Sequence, residues 1–278
     1  MHDIASSDIT TIAPTRGWTS LGLSEVWRYR ELLYFLTWRD IKVRYKQTVV
    51  GIAWALIQPL ANLVLFTIVF GRLAKLPSDG IPYPLFSLAG LVPWTFFSTA
   101  LSTASNGLVN NSSLLTKVYF PRLALPVAAV LAALLDFLIA LALLFGAMIV
   151  WRIVPSLQLL WLLPCTLLAI AAAMGTGLWL AALNAKFRDV RFVLPFLMQF
   201  WMFATPIVYS SSGLQQPWRT LYGLNPMVGV VEGYRWALFE SGHAPGWPFA
   251  ASAVMTLVVL LSGIAFFRRM ERTFADVV

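Results

Sequence analysis

Few residues of this 278-residue sequence are placed to do covalent chemistry. The sequence contains no G-x-x-x-x-G-K-[ST] loop, so it has no phosphate cradle of that kind for ATP. The two histidines, His2 and His243, lie outside the long apolar runs, which argues against an intramembrane serine–histidine protease. No cluster of Cys, His and acidic residues has metal-ligand spacing, so we expect no metal site and no cofactor in this chain. Asp40 and Asp189 are the candidate acid–base groups for a membrane-surface enzyme, although each lies beside an arginine.

Charge is concentrated in one short segment. Five charged residues fall within eight positions: Arg39, Asp40, Lys42, Arg44 and Lys46. Three residues later the sequence becomes apolar and stays so from Val49 to Phe70, yet this run holds Gln58 and Pro59 near its middle. A helix breaker and a polar side chain in such a run require an explanation beyond contact with lipid.

One acid, Asp136, is the only ionisable residue well inside a long apolar run. Ion-coupled pumps usually need several such groups in relay, so a single acid argues against an ion-coupled secondary transporter. Asp136 could be a channel or coupling residue, or a carboxylate bonded to a neighbouring helix. We favour the second interpretation.

Two apolar runs carry aromatic and amide side chains at helical spacing. In the earlier run a stripe recurs every four residues and winds by about 40° per step: Trp54, Gln58, Asn62, Phe66 and Phe70. In the later run one face holds Phe192, Phe196, Gln199 and Phe203, with Phe200 beside it. Aromatic rings can stack on sugar C–H bonds and amides give adaptable hydrogen bonds, so these faces could line a channel for a carbohydrate. Packing between helices is the commoner use of such aromatics.

The composition indicates that the elements carrying these residues are membrane-spanning helices. The chain is 59% hydrophobic and 12% charged, with a mean hydropathy of +0.75, whereas soluble domains are about a quarter charged. Apolar runs of about 20 residues suit a hydrocarbon core about 30 Å thick. We predict an all-α polytopic membrane protein with six spans, at about Val49–Phe70, Pro84–Ala104, Leu123–Val150, Gln158–Leu183, Phe192–Tyr209 and Trp247–Phe267.

The basic residues predict the orientation of these spans. Fifteen of the 20 lysines and arginines fall in the amino-terminal segment, the second and fourth connections and the tail, which six spans place on one side. The positive-inside rule puts that side, with both termini, in the cytoplasm. The net charge of +8 then marks cytoplasmic loops and not nucleic-acid binding. The lone Cys165 allows no intrachain disulfide and is expected to pack among helices.

Residues 1–24 carry no signal-peptide pattern and are predicted to form a tail before a transmembrane domain at 25–278. Within that domain, residues 25–47 are predicted to form an amphipathic interface helix in the cytoplasmic headgroup layer. On a helical wheel its charged face holds Arg28, Glu31, Arg39, Lys42 and Lys46, and its apolar face holds Val26, Leu33, Leu36 and Ile41.

The segment Ser210–Gly246 is predicted to form a re-entrant or half-buried outer helix. Asn225 is a good N-cap and Pro226 suits the first helical turn. Glu232 and Arg235 are three residues apart and can pair on a helix. The apolar stretch is too short to span, so it must be covered by protein or line a cavity.

The second predicted cytoplasmic connection, NNSSLLTKVYFPR at 110–122, is predicted to form a short helix with one apolar face. Ser112 or Ser113 can cap it, and Pro121 ends it. Its apolar residues are Leu114, Leu115 and Val118, followed by Tyr119 and Phe120. Such a helix either tucks under the bundle or inserts into a groove on a partner protein, and the sequence leaves both open.

Five motifs in register resemble the permease subunits of polysaccharide-exporting ABC transporters, closest to exporters of lipid-linked O-antigen. They are RDIKVRYKQTVVGIAWALIQPL (39–60), GLVPWTFFS (90–98), KVYFPRLALP (117–126), FRDV (187–190) and LNPMVGVVEGYRWAL (224–238). The resemblance runs from about Glu25 to the end of the chain. It implies a homodimeric permease in the bacterial inner membrane, with ATP and Mg²⁺ bound by two copies of a separate ABC-type ATPase.

The resemblance also implies roles for particular segments. A coupling helix that contacts the ATPase falls on Ser112–Tyr119 and includes Lys117. A cytoplasmic gate falls on Arg39–Gln47 and includes Tyr45, and outer gating helices fall on Gly213–Phe239. The first and fifth spans of both copies would line the channel, which matches the two aromatic faces.

A hypothesis follows for the charged segment. Its basic residues could meet the diphosphate of a polyprenyl-linked polysaccharide, while Gln58 faces a hydrated channel and Pro59 kinks the helix. Alternatively, these residues bind only anionic membrane lipid, at about 1 kcal/mol each. A membrane glycosyl- or acyltransferase and an ion-coupled transporter are the alternatives to an exporter.

Overall fold

The computed structural model describes residues 23–46, 51–117, 120–215, 217–241, 244–271 and 274. Every regular element within these ranges is helical, which confirms the predicted all-α class. The helices are α1 (Leu23–Arg28), α2 (Arg30–Lys46), α3 (Trp54–Phe66), α4 (Tyr83–Asn110), α5 (Ser112–Lys117), α6 (Ala124–Val150), α7 (Leu162–Lys186), α8 (Val190–Phe203), α9 (Trp218–Tyr222), α10 (Pro226–Phe239) and α11 (Trp247–Glu271). A π-helical segment, Thr67–Leu73, extends α3, and short 3-10 turns precede α3 and α7.

Five helical segments in the described ranges are long and apolar enough to cross a membrane. They are Trp54–Leu73, Tyr83–Asn110, Ala124–Val150, Leu157–Lys186 and Trp247–Glu271. The sixth apolar segment contains α8, whose 14 residues give a length of only about 21 Å. The helix ends at Phe203, earlier than predicted, and the chain continues through buried turns from Thr205 to Val208.

Helix α4 lies at the centre of the bundle. It packs against α3, α6, α7, α8 and α10, and Phe86, Phe97 and Leu101 are fully buried along it. One hydrophobic cluster surrounds most of α4, and a second gathers where α4 ends and α6 begins, around Leu108 and Phe120. We call these two ends of the bundle the Tyr83 end and the Asn110 end, after the first and last residues of α4.

Small residues allow α7 to approach its neighbours closely. Gly177 lies against α4, where an added Cβ would be 3.0 Å from the Cβ of Ala104. The α7 backbone also lies very close to α11, since a Cβ on Gly263 would lie 2.4 Å from the carbonyl oxygen of Gly175. Cys165 at the other end of α7 is buried, as predicted, against Gly233.

We expect Gly263→Ala to destabilise the bundle, because its methyl group would overlap the α7 backbone. Overpacking of this kind costs about 1–3 kcal/mol. Gly146→Ala is the matched control, because a Cβ at that position in α6 meets no atom within 4 Å and alanine is favoured over glycine in a helix by about 1 kcal/mol. Thermal unfolding of the detergent-purified variants should show a lower midpoint for Gly263→Ala only. Equal midpoints would contradict the close α7–α11 contact.

Candidate functional site

The predicted interface helix is seated on α6 at the Asn110 end. Val26 and Leu36 are buried in the second hydrophobic cluster, and Leu32 and Leu33 pack against that cluster. The opposite side of the helix is also apolar, which the prediction of one charged and one apolar face did not include. Its exposed aromatic residues are Trp27, Tyr34, Phe35 and Trp38. Tryptophan and tyrosine are typical of the headgroup level of a membrane, so this side suits the predicted interfacial position.

The charged residues of α2 differ in their surroundings. Arg39 donates to the carboxylate of Asp40, its neighbour in the chain, at 2.8 Å. The Lys42 ammonium lies 5.2 Å from the centre of the Trp38 ring, and Lys42 and Lys46 are exposed. Tyr45 is half-buried. The lysines are therefore the basic residues of this segment that remain most accessible.

Arg44 is placed differently from the other basic residues, because its guanidinium donates to the carboxylate of Asp136 in α6. This contact shows that Asp136 is bonded to a neighbouring helix, as one of its two interpretations expects. It also corrects the assignment of Arg44 to a free headgroup-binding set, since the side chain already has an anionic partner. The pairing joins residues 92 positions apart, and no local sequence pattern could have indicated it.

The predicted stripe on the first span divides into an exposed part and a buried part. Trp54 is 52% exposed and Gln58 is also exposed, whereas Asn62 is half-buried. Phe66 is 7% exposed and makes an edge contact with Phe70 inside the core. A four-residue spacing drifts by about 40° per step, so three steps rotate the stripe by about 120° into the protein. The prediction that Phe66 lines a channel is therefore wrong, because its side chain is buried in the core. The side chain of Phe70 is half-buried.

Helix α8 keeps its predicted aromatic face exposed. Leu194 and Met198 form its buried seam, and the exposed residues are Phe192, Phe196, Gln199, Phe200 and Phe203. Phe196 and Phe200 contact each other edge to face, with ring centres 4.6 Å apart. Since an apolar face of this size is not left in water, lipid or another protein chain must cover it.

At the Tyr83 end, Asn225 joins α10 to the segment that follows α8. Its side-chain oxygen accepts from the backbone of Met227 at 3.1 Å, which is the predicted N-cap, and from the Trp201 indole at 2.9 Å. Its amide nitrogen donates to the Ala204 carbonyl and to the Thr205 hydroxyl, both at 3.0 Å. One side chain therefore caps an outer helix and fixes it to the end of the short apolar helix.

Arg235 holds the same region together from inside the protein. It is buried, and its guanidinium donates to the backbone carbonyl of Ile207 at 2.7 Å and of Phe86 at 3.3 Å. The guanidinium carbon also lies 3.5 Å from the centre of the Phe86 ring. Burial lowers the pKa of Arg235 to about 9, against the opposing effect of Glu232 and Asp79, so the group stays charged at neutral pH. No sequence pattern indicates this role, because every residue has a backbone carbonyl.

Glu232 forms a contact other than the predicted pair. Its carboxylate accepts from the hydroxyl of Ser211, while Arg235 binds backbone carbonyls instead. Two neighbouring serines, Ser210 and Ser212, donate to Asp79 in the connection between α3 and α4. The serine segment thus joins two outer carboxylates that come from distant parts of the sequence.

The predicted coupling segment forms a helix that begins at Ser112, as expected, and runs to Lys117. Leu114 packs against the second hydrophobic cluster, and Lys117 is exposed. Phe120 and Pro121 are buried after it. Val118, Tyr119 and the side chain of Leu115 lie outside the described residues. The helix is thus anchored to the Asn110 end of the bundle by one side.

The described residues offer little catalytic chemistry. No group of three or more His, Cys, Asp or Glu among them is placed to hold a metal ion. Asp40 is paired with Arg39 and Asp136 with Arg44. Within the described residues, an α-helical bundle with five long apolar helices and one short one is the architecture of a multi-pass membrane protein.

Comparison with known proteins identifies the family. Residues 31–239 match the ABC-2 type transporter family, and the chain belongs to it. The chain is 29% identical over 255 residues to the O-antigen export system permease protein RfbA of Myxococcus xanthus, covering 91% of this chain and 97% of that protein. It is 26% identical to a Klebsiella pneumoniae protein of the same name over 89% of this chain and 95% of that protein. It is 29% identical to the polysialic acid transport protein KpsM of Escherichia coli over 84% of this chain and 91% of that protein. The chain is thus a transport subunit and not an enzyme.

We expect Arg235→Lys to destabilise the protein although it keeps the charge. A lysine ammonium cannot reproduce the planar fork that reaches two separate carbonyls and stacks on Phe86, so buried acceptors lose donors at about 1–3 kcal/mol each. Arg152→Lys, an exposed arginine at the Tyr83 end of the bundle, is the matched control. The midpoint of thermal unfolding should fall for Arg235→Lys and stay near the wild-type value for Arg152→Lys. An unchanged midpoint in both would show that the carbonyl contacts of Arg235 contribute little.

Proposed function

We propose that this chain is the channel-forming subunit of an ATP-driven exporter that moves a lipid-linked polysaccharide across the bacterial inner membrane. The observation that carries the proposal is the exposed face of α8, with four phenylalanines and Gln199, in a chain of the ABC-2 type transporter family. The names of its relatives, which refer to O-antigen export and polysialic acid transport, support polysaccharide as the cargo.

Two copies of the chain would enclose the channel. Helices α3 and α8 both pack on α4, and each leaves an apolar face uncovered. In a homodimer the faces of α8 and the first turns of α3, with Trp54 and Gln58, would meet across the channel. Aromatic rings bind sugar rings weakly and at many places, so a polysaccharide could advance without being trapped.

A separate ABC-type ATPase, in two copies, would supply the energy. The sequence has no phosphate-binding loop of its own, so ATP and Mg²⁺ would be held by that partner. Helix α5, with Lys117 exposed and Leu114 anchored in the bundle, is the proposed contact. This places the Asn110 end and both termini in the cytoplasm, in agreement with the distribution of basic residues.

The outer helices α9 and α10 would then lie on the far side of the inner membrane, where they would gate the exit. These helices are tied to the chain that follows α8 by the hydrogen bonds of Asn225, Arg235 and Glu232. Opening the exit would require these bonds to move together or to break. Residues Asn225 and Pro226 set the point at which α10 begins.

The lipid diphosphate would meet the exposed lysines of α2 at the cytoplasmic mouth. Lys42 and Lys46 are accessible, and Arg39 lies beside them although it is paired with Asp40. Lysine binds phosphate as a point charge and does not need the fork geometry of arginine.

The central test is deletion of the gene in its host. We expect lipid-linked polysaccharide to accumulate inside the cell and surface polysaccharide to fall at least tenfold, with recovery when the gene is returned. Surface labelling with a lectin or antibody measures the outcome. As a control, the partner ATPase should be required as well. Unchanged surface polysaccharide, or turnover of polyprenyl lipid by the purified chain alone, would contradict the proposal.

A second prediction concerns the headgroup. In a purified complex with the ATPase, Lys42→Ala combined with Lys46→Ala should raise the concentration of lipid-linked polysaccharide needed for half-maximal ATPase stimulation by several-fold. The physical reason is the loss of two phosphate contacts. Vesicles of anionic phospholipid without polysaccharide provide the comparison. If the double variant loses only its response to these vesicles, the lysines bind membrane lipid and not the substrate.

A further inference from the structure

Asp136 and Arg44 form an ion pair between α6 and α2. Asp136 is the only charged residue in α6, and it lies about 18 Å along that helix from its first residue at 1.5 Å per residue. The two side chains are about one-quarter exposed. Ionisable groups inside membrane-spanning helices are expensive and tend to pair, so the contact holds both charges in place.

The ion pair attaches the last turns of α2 to α6. An apolar attachment lies earlier on α2, at Leu36 in the second hydrophobic cluster. Arg44 is eight residues and therefore about 12 Å farther along α2. Between them Trp38, Lys42 and Val43 are exposed, and the ion pair is a polar contact that joins this end of α2 to α6.

The last turns of α2 lie close in sequence to the start of the first span. Residues 47–53 separate α2 from α3, and α3 starts with Trp54. The accessible lysine Lys46 ends α2, and Trp54 is exposed. Both residues belong to the proposed mouth of the channel.

We propose that Arg44 and Asp136 are a positioning pair that fixes the cytoplasmic gate of the channel, and that Arg44 acts through Asp136 and not by binding the substrate. The inference rests on the proposed function, which puts the cytoplasmic mouth of the channel at the end of α2. It separates Arg44 from the lysines beside it, which have no carboxylate of another helix among their described contacts.

The chemistry of an ion pair makes the inference testable by exchange of charges. Asp136→Asn leaves the guanidinium without its anion, and Arg44→Gln leaves the carboxylate without its cation. The combined variant Arg44→Asp with Asp136→Arg restores a pair of opposite polarity. Removing one partner of a buried pair is far more disruptive than exchanging both.

The experiment uses the full chain with its ATPase and measures surface polysaccharide in cells. We expect each single variant to reduce export at least fivefold and the exchanged pair to recover at least half of the wild-type level. Arg152→Gln, an exposed arginine outside the proposed machinery, should stay within twofold. Export by the single variants at the wild-type level would overturn the inference.

A second measurement separates positioning from substrate binding. In the purified complex, both single variants should lower the maximal ATPase stimulation by lipid-linked polysaccharide and leave its half-maximal concentration within twofold. If Arg44 bound the headgroup, Arg44→Gln alone would raise that concentration and Asp136→Asn would have little effect. That result would overturn the inference.

If the single variants do not accumulate in the membrane, the inference is tested with the variant that exchanges the charges, Arg44→Asp with Asp136→Arg. Recovery of both accumulation and export supports the inference. Recovery of accumulation without export, or of neither, overturns it. Failure of the proposed function would give a different result. In that case the unmodified chain with its ATPase would export no polysaccharide.

Discussion

Helix α4 is enclosed by other helices, and this enclosure determines which helices keep an exposed apolar face. Because α6, α7 and α10 cover most of its surface, α3 and α8 are left at its flanks, where α3 packs on α4 and α6 and α8 packs on α4 and α7. Burial of apolar surface, at about 25 cal/mol per Å² in water, has less force in lipid, where close packing between helices matters more. The glycine contact between α7 and α11 provides such packing. The flanking helices lack it, so their apolar faces stay available to a second copy or to lipid.

Arg235 and Arg44 each carry a positive charge that contacts other helices, and each charge is stabilised by a different kind of partner. Arg235 spreads its charge over backbone carbonyls and the Phe86 ring, which fixes the turn after α8 to the start of α4. Arg44 uses a single carboxylate. A guanidinium bound to several fixed backbone groups has no single partner whose loss releases it, whereas an ion pair can be broken by moving one helix. The first arrangement therefore suits a permanent joint, and the second suits a contact whose position matters for function.

The sequence predicted the features that depend on local pattern. The order of the apolar segments, the N-cap at Asn225, the start of α5 at Ser112 and the bonded state of Asp136 all follow from neighbouring residues. The features that it missed depend on distant ones. The partner of Asp136 is 92 residues away, and the acceptors of Arg235 are backbone atoms that any residue could supply. The stripe was predicted to wind by about 40° per step, but the sequence does not indicate which neighbouring helices it meets, and three steps carry Phe66 into the core.

The two proposed working parts lie on helices that follow one another in the chain or are joined by the ion pair. Helix α5 lies between α4 and α6 in the chain, and α6 carries the carboxylate that holds Arg44. Helix α2 then leads within seven residues to α3 and its exposed Trp54. A movement of α5 by the ATPase would displace the start of α6, and the ion pair would pass that displacement to the end of α2. Physical adjacency alone does not establish coupling. The polarity of the ion pair can be reversed by exchanging Arg44 and Asp136, which keeps opposite charges at the same place. Variants of this pair can therefore separate an effect on coupling from an effect on folding.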